Sequence, residues 1–206
     1  MSHFVDVAVM FFKDMFLYAM IAIFLENTIF SRAIGTSTSF LAVRQKFNIF
    51  LFGLIMTIII GVSSIITYFL NPFISNLKNS YYIIPTIYVA IIGIVYILAL
   101  LFVGKFMKKR KTEILRMIHI STFNCAVLGA LLLAGNISEL SFGGYMGFTL
   151  GSGIGFTFAT FFVDVAYERL SSKHVPNAFR GFPITLVYLG IVCLGIYGLI
   201  GHELPF

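Results

Sequence analysis

Long apolar runs are the feature that most constrains the fold of this chain. Segments such as "IFLFGLIMTIII" and "IYVAIIGIVYILALLFV" continue without the polar alternation of a membrane β-strand. Six runs reach the roughly 20 residues that a helix needs to cross a bilayer. They lie at roughly 12–34, 47–70, 82–106, 114–135, 142–167 and 182–201. The sequence therefore predicts an all-α integral membrane protein with six transmembrane helices.

The rest of the sequence leaves no room for a soluble domain. Of the 206 residues, 59% are hydrophobic and 11% are charged, so we expect one six-helix membrane domain over residues 1–206. Such a chain has no soluble catalytic site of its own and is at most a subunit of a larger enzyme. The start "MSHFVDVAV" lacks a basic region, which predicts that the first helix is not a cleaved signal.

The basic residues predict membrane topology rather than nucleic-acid binding. The net charge is +6, and only Lys13 and Lys78 lie outside three alternate loops of the six-helix prediction. By the positive-inside rule those three loops are cytoplasmic, which places both termini outside a bacterial-type cytoplasmic membrane. The loop residues are Arg32, Arg44, Lys46, Lys105, Lys108, Lys109, Arg110, Lys111, Arg116, Arg169, Lys173 and Arg180.

The stretch "LENTIFSRAIGTS", residues 25–37, interrupts the first span with polar residues. Glu26, Asn27 and Arg32 follow an uninterrupted apolar run. An ionisable group inside a span is costly, so it indicates a functional site by default. The alternative is that Glu26 and Arg32 approach each other across the interruption as an ordinary neutralised pair.

A second interruption suggests an internal repeat. In "FNCAVLGALL" of span four, Asn124 occupies a position like that of Asn27. With three spans per half, the second half starts from the opposite side of the membrane, which is the pattern of an inverted-topology repeat. We expect repeat one at about 12–106 and repeat two at about 114–201, with helices one and four broken. The interruptions would then meet near the midplane. The alternative is that the two asparagines only form hydrogen bonds between helices.

Span five carries glycines at intervals of four residues. A helix face without side chains lets another helix approach closely, either within the bundle or from a partner subunit. Asp164 and Glu168 lie near the end of the same span, where we expect them to be solvated or paired with Arg169, with a proton or cation relay as the alternative. Cys193 is expected to be a small apolar residue of span six. The glycines are Gly143, Gly147, Gly151 and Gly155.

Three segments carry a resemblance to a known family. The segments "ENTIFSRAIG", "FNCAVLGALLL" and "YERLSSKHVPNAFRGFPITLV" resemble the membrane subunits of the Rnf and Nqr ion-translocating electron-transport complexes, specifically the A subunit of Rnf and the E subunit of Nqr. The resemblance implies a subunit that takes part in transmembrane electron transfer coupled to ion movement. It also implies a partner, either a second six-helix subunit of opposite topology or a second copy of this chain.

The resemblance further implies a 2Fe-2S cluster held by four cysteines, two from each subunit, where the broken helices meet. Cys125 matches one ligand position, and Asn124 and Asn27 are candidates for cofactor binding beside it. The second ligand position is Ser37, and a serine hydroxyl is a poor iron ligand compared with a thiolate. Three alternatives follow: a partner supplies the ligand, the centre is incomplete or of another kind, or the chain has lost the cluster. No other cofactor is expected.

The sequence leaves two further functions open. One is a stand-alone or homodimeric carrier of a cation or small solute, with Glu26, Asn27, Asn124 and Cys125 as the polar midplane site. The other is a purely structural membrane partner. That function explains the glycine face but leaves Glu26 without a role.

Overall fold

The computed structural model describes residues 2–75, 80–106, 111–137, 140–170, 172 and 175–200, and these residues contain helices but no strand. Five helices are long and apolar enough to cross a membrane, and a bent pair makes a sixth candidate span. The prediction of an all-helical membrane protein is therefore confirmed, while the inverted repeat stays a prediction. The helices are α1 Ser2–Met20, α2 Thr36–Arg44, α3 Ile49–Ser75, α4 Ser80–Phe106, α5 Lys111–Thr122, α6 Cys125–Asn136, α7 Phe142–Leu170 and α8 Phe182–Ile200.

The first helix differs from its predicted bounds of 12–34. It begins at Ser2 and continues from Met20 into a π-helical turn, Ile21–Leu25. The residues from Val5 onward are apolar enough to belong to the candidate span Val5–Leu25. The charged residues Asp6, Lys13 and Asp14 therefore lie within the helix and not before it. Five residues used to predict the topology lie outside the described residues: Lys78, Lys108, Lys109, Arg110 and Lys173.

The first break, residues 26–35, ends this helix because of local hydrogen bonding. The Asn27 side-chain oxygen accepts the backbone N–H of Ile29 at 3.0 Å and of Phe30 at 3.2 Å. An asparagine that binds nearby amides offers the backbone an alternative to continuing a helix. Gly35, with φ of 87°, then sets the left-handed conformation directly before α2. The first helix thus ends at Leu25, directly before the break, and the next helix begins after Gly35.

The second break, residues 123–124, lies between α5 and α6. Asn124 is extended, with φ of −115° and ψ of 129°, and its side-chain oxygen accepts the Ala126 N–H at 3.0 Å. This is the usual geometry of an asparagine N-cap. The two helices are bent by 46°. Both breaks therefore contain an asparagine that accepts the amide two residues ahead.

The glycine face of α7 packs against α1. A Cβ built on Gly147 would lie 2.1 Å from the Met15 carbonyl oxygen, and one on Gly151 would lie 2.6 Å from that of Ala19. Gly143 meets the Phe11 backbone in the same way, and Gly155 meets the backbone around Ala22. The two helices run in the same direction with their backbones in contact, which only glycine permits.

Helices α2, α3, α6 and α8 also pack against α7, whereas α4 and α5 pack mainly against α3 and each other. On a second face of α7, Gly153 lies against Thr57 of α3, and Thr157 lies against Gly53. Helix α8 is peripheral, and most of its side chains are exposed, with Leu189 and Thr185 buried. In a bilayer such exposed apolar faces contact lipid or a partner helix.

Candidate functional site

Asn27 is fully buried and makes four hydrogen bonds. Besides accepting the two amides of the first break, its side-chain nitrogen donates to the carbonyl oxygens of Ile23 and Gly155, each at 2.9 Å. The bond to Gly155 ties the first break to α7. Every polar group of this side chain is therefore used in holding the break, so Asn27 is a positioning residue in this arrangement.

The two breaks lie against each other. A Cβ built on Gly35 would be 3.2 Å from the side-chain oxygen of Asn124, 2.9 Å from the Cβ of Ala126 and 2.7 Å from the ring of Phe156. We call this contact the break junction. Asn124 is 4% exposed, and its side-chain nitrogen lies 3.7 Å from the sulfur of Met56. Side chains at the start of α2 and of α6 are thereby brought to one region of the molecule.

Cys125 and Ser37 follow the break junction, and both are exposed. Each lies in the first turn of its helix, α6 and α2 respectively. The Cys125 sulfur is 3.8 Å from the Asn124 side-chain oxygen. Among the described residues no group of three or more His, Cys, Asp or Glu side chains is placed to hold a metal ion. The chain therefore presents one thiol at the surface of the junction.

Cys193 lies closer to the first break than its place in span six suggested. Its sulfur is 3.8 Å from the carbonyl oxygen of Ile29. The side chain is partly buried and packs against the main hydrophobic core. No spacing in the sequence indicates this contact, because it depends on how α8 docks on the bundle.

Glu26 and Arg32 form an ion pair across the first break. The Arg32 guanidinium donates from Nε at 3.0 Å and from Nη2 at 2.8 Å, both to Oε2 of Glu26. The two side chains are 36% and 41% exposed. Glu26 directly follows the candidate span Val5–Leu25. An exposed ion pair at the end of a span needs water or a partner protein around it, since lipid would not solvate it.

We expect Glu26→Gln and Arg32→Gln each to destabilise the chain in lipid nanodiscs by about 1 kcal/mol, since each leaves one charge of a half-exposed ion pair without its partner. The double variant E26Q/R32Q removes both charges and should recover most of the loss. Thermal unfolding of the three variants measures this, with Asp6→Asn, an exposed carboxylate near the start of α1, as the control. Equal loss in single and double variants would contradict the pairing.

The acidic residues near the end of α7 lie away from the break junction. Asp164 is partly buried and Glu168 is exposed. No salt bridge links either carboxylate to Arg169, with all three residues in the described part of α7. They lie toward the end of α7, well beyond Gly155 and Phe156, which contact the first break.

Comparison with known proteins identifies the family of this chain. Residues 15–202 match the family model described as "Rnf-Nqr subunit, membrane protein". The chain belongs to the Rnf-Nqr family of membrane subunits. The match covers both breaks and all the spanning helices except the start of α1.

Two relatives in this family align with most of the chain at moderate identity, and a third aligns with about a third of it. The A subunit of the Na(+)-translocating ferredoxin:NAD(+) oxidoreductase complex of Acetobacterium woodii is 29% identical over 188 residues, covering 89% of this chain and 95% of that protein. The A subunit of the ion-translocating oxidoreductase complex of Syntrophotalea carbinolica is 29% identical over 191 residues, covering 92% and 97%. The E subunit of the Na(+)-translocating NADH-quinone reductase of Saccharophagus degradans is 39% identical over 74 residues, covering 36% of each chain.

Proposed function

We propose that this protein is an integral membrane subunit of an Rnf/Nqr-type ion-translocating electron-transport complex and takes part in electron transfer across the membrane. The observation that carries the proposal is the break junction, where two interrupted helices of a family member meet with Cys125 exposed beside them. Irregular backbone at membrane depth is tolerated where it is buried in protein or lines a site. Sodium is the ion to test first, because two relatives are named as subunits of Na(+)-translocating enzymes.

The donor set of this chain does not by itself fit a four-thiolate iron–sulfur cluster. Such a cluster needs four cysteine thiolates, whereas Ser37 occupies the position that the family resemblance assigns to a second one. Cys125 is the exposed cysteine at the junction, whereas Cys193 is partly buried and its sulfur lies against the carbonyl oxygen of Ile29. We propose that Cys125 is the thiolate this chain contributes to a 2Fe-2S cluster shared with a partner subunit.

Metal content of the anaerobically purified protein tests this role. Iron and sulfide should co-purify with the complex and be lost in Cys125→Ser. Cys193→Ser is the matched control, since that thiol is partly buried in the core and should leave the iron unchanged. An iron-free wild-type complex, or equal loss in both variants, would contradict the proposed role of Cys125.

The partner in this proposal is a second membrane subunit that covers the exposed face of the breaks. Cys125, Ser37 and the Glu26–Arg32 pair are all exposed in the isolated chain. The partner is a six-helix subunit of opposite topology, with a second copy of this chain as the alternative. Both termini would face outward, and the multi-pass protein would lie in a bacterial-type cytoplasmic membrane. The matching roles of Asn27 and Asn124 support two inverted repeats of three helices.

A second candidate function is a carrier of a cation or small solute on the same scaffold. The exposed Glu26–Arg32 pair favours it, because an intramembrane carboxylate is a common ligand of transported cations. In that case Glu26→Gln would abolish uptake into proteoliposomes that contain no iron. Iron-dependent electron transfer with normal activity in Glu26→Gln would contradict the carrier.

A further inference from the structure

Buried hydroxyl groups without hydrogen-bond partners lie near the break junction and along one face of α3. In the described part of the chain there are five such oxygens, those of Thr28, Ser39, Ser63, Ser121 and Thr160. Their residues are at most 1% exposed. Serine and threonine in helices usually donate to the carbonyl four residues earlier, as Thr57 and Thr157 do here. Leaving a buried hydroxyl unpaired costs free energy, so each of these groups calls for an explanation.

Four of these hydroxyls lie near the break junction. Thr28 lies within the first break, and Ser39 follows Gly35 by about one turn of helix α2. Ser121 directly precedes Thr122, the last residue of α5 before the second break. Thr160 follows Phe156, which contacts Gly35, by about one turn of α7. Groups from four different segments thus carry unpaired oxygens around the same contact.

Ser63 lies on α3 between the break junction and a second polar contact, the pair of hydroxyl groups of Thr67 and Tyr145. Met56, Ser63 and Thr67 share one face of α3, because they are spaced by seven and four residues. Met56 contacts Asn124 at the second break. The Thr67 hydroxyl is bonded to the Tyr145 hydroxyl of α7 at 3.0 Å, with both groups buried. Ser63 therefore lies between the break junction and the Thr67–Tyr145 pair.

Helix α7 carries a matching polar face. Tyr145, Thr149 and Ser152 follow one another at helical spacing and are at most 2% exposed. The next residue on that face is Phe156, which fills the space against Gly35, and Thr160 follows beyond it. The distance from Tyr145 to Thr160 is about 22 Å along the axis, most of the thickness of a hydrocarbon core.

We propose that the five unpaired hydroxyls form the route of an alkali cation through this subunit, from the Thr67–Tyr145 pair to the break junction. Neutral hydroxyl oxygens can replace the hydration shell of an alkali cation without trapping it by a fixed charge. Phe156 is the apolar constriction at which the route is closed. This inference rests on the proposed function, because it requires that the complex translocates an ion.

The alternative is that the hydroxyls only pack the bundle. That explanation suits Thr149 and Ser152, which bond to carbonyls of their own helix. It does not account for four unpaired oxygens near the break junction and a fifth, that of Ser63, on the face of α3 that leads away from it. The two explanations differ in what removal of an unpaired hydroxyl does: a packing group would be neutral or stabilising to lose, with no effect on ion flux, whereas a group on the route would reduce the flux.

The experiment uses the complex with its partners in proteoliposomes, with ²²Na⁺ uptake measured per electron transferred. We expect Ser63→Ala and Thr160→Val to lower Na⁺ uptake per electron about tenfold. The rate of electron transfer should equal that of the wild type, and the melting temperature should equal or exceed it. Thr57→Val and Thr157→Val are the controls, because these threonines lie on the same helices, bond to their own backbone and line a separate apolar groove. They should leave uptake unchanged.

The outcomes separate this inference from the function on which it rests. If the wild-type complex transfers electrons without moving either Na⁺ or protons, the proposed function fails in its ion-translocating part. If the wild type moves Na⁺ and the Ser63 and Thr160 variants match the controls, the complex functions as proposed and the route is wrong. If the wild type moves protons in place of Na⁺, the complex still translocates an ion, and the route as a path for an alkali cation is wrong.

Discussion

Replacement of Asn27 by alanine should lower the stability of the protein more than any other single polar substitution. Four hydrogen bonds of a fully buried side chain are lost, two to amides of the first break and two to the carbonyl oxygens of Ile23 and Gly155. With these backbone groups left unpaired away from water, the expected loss is about 3 kcal/mol. Thermal unfolding followed by circular dichroism in nanodiscs measures it, and we expect a decrease of about 5–10 °C.

Asn48→Ala is the matched control for this prediction. Asn48 is exposed and accepts one hydrogen bond, from the Leu51 N–H at 3.1 Å. Its loss should cost about 1 kcal/mol or less, the usual effect of removing an N-cap. Asn27→Asp adds a second comparison. It keeps the oxygen that accepts the two amides of the break, but it replaces the amide nitrogen by a second oxygen, which would face the carbonyl oxygens of Ile23 and Gly155. If Asn27→Ala unfolds at the same temperature as Asn48→Ala, the first break is not held by this side chain.

The spans were predictable because the length of an apolar run is a property of the sequence alone. Runs of Ile, Leu, Val and Phe long enough to cross a bilayer predicted α3, α4, α7 and α8 to within a few residues. The polar interruptions at 25–37 and around Asn124 also marked where helices end. An asparagine side chain at a helix end binds backbone amides only a few residues away. The position of a helix end can therefore be predicted from residues that are close in the sequence.

The tertiary partners were not predictable in the same way. Nothing near Asn27 in sequence indicates Gly155, and nothing near Cys193 indicates Ile29, since both contacts depend on how distant helices dock. The start of α1 was also missed, because the charges of Asp6 and Lys13 are typical of a segment outside a span, although the apolar residues around them continue the helix. The unpaired hydroxyls had no sequence signal at all. Their lack of partners is visible only in the packed bundle.

Replacement of Gly147 by alanine should separate α1 from α7. The new Cβ would lie 2.1 Å from the Met15 carbonyl oxygen and 2.8 Å from the Met15 Cα, and these are backbone atoms that a side-chain rotation cannot move. Relief of the clash requires α1 to shift away from the glycine face, which would also strain the bond between Asn27 and Gly155. Overpacking of this kind costs about 3 kcal/mol.

Two glycines of α8 provide the control, and their expected response has the opposite sign. A Cβ on Gly190 or Gly195 meets no atom within 4 Å. Because alanine is intrinsically better than glycine in a helix, Gly190→Ala and Gly195→Ala should be neutral or raise stability by up to about 1 kcal/mol. The melting temperatures of the three variants in nanodiscs should therefore fall on opposite sides of the wild type. If Gly147→Ala is as stable as Gly190→Ala, close contact with α1 is not what the glycine face provides, and the first break would have to be positioned by Asn27 alone.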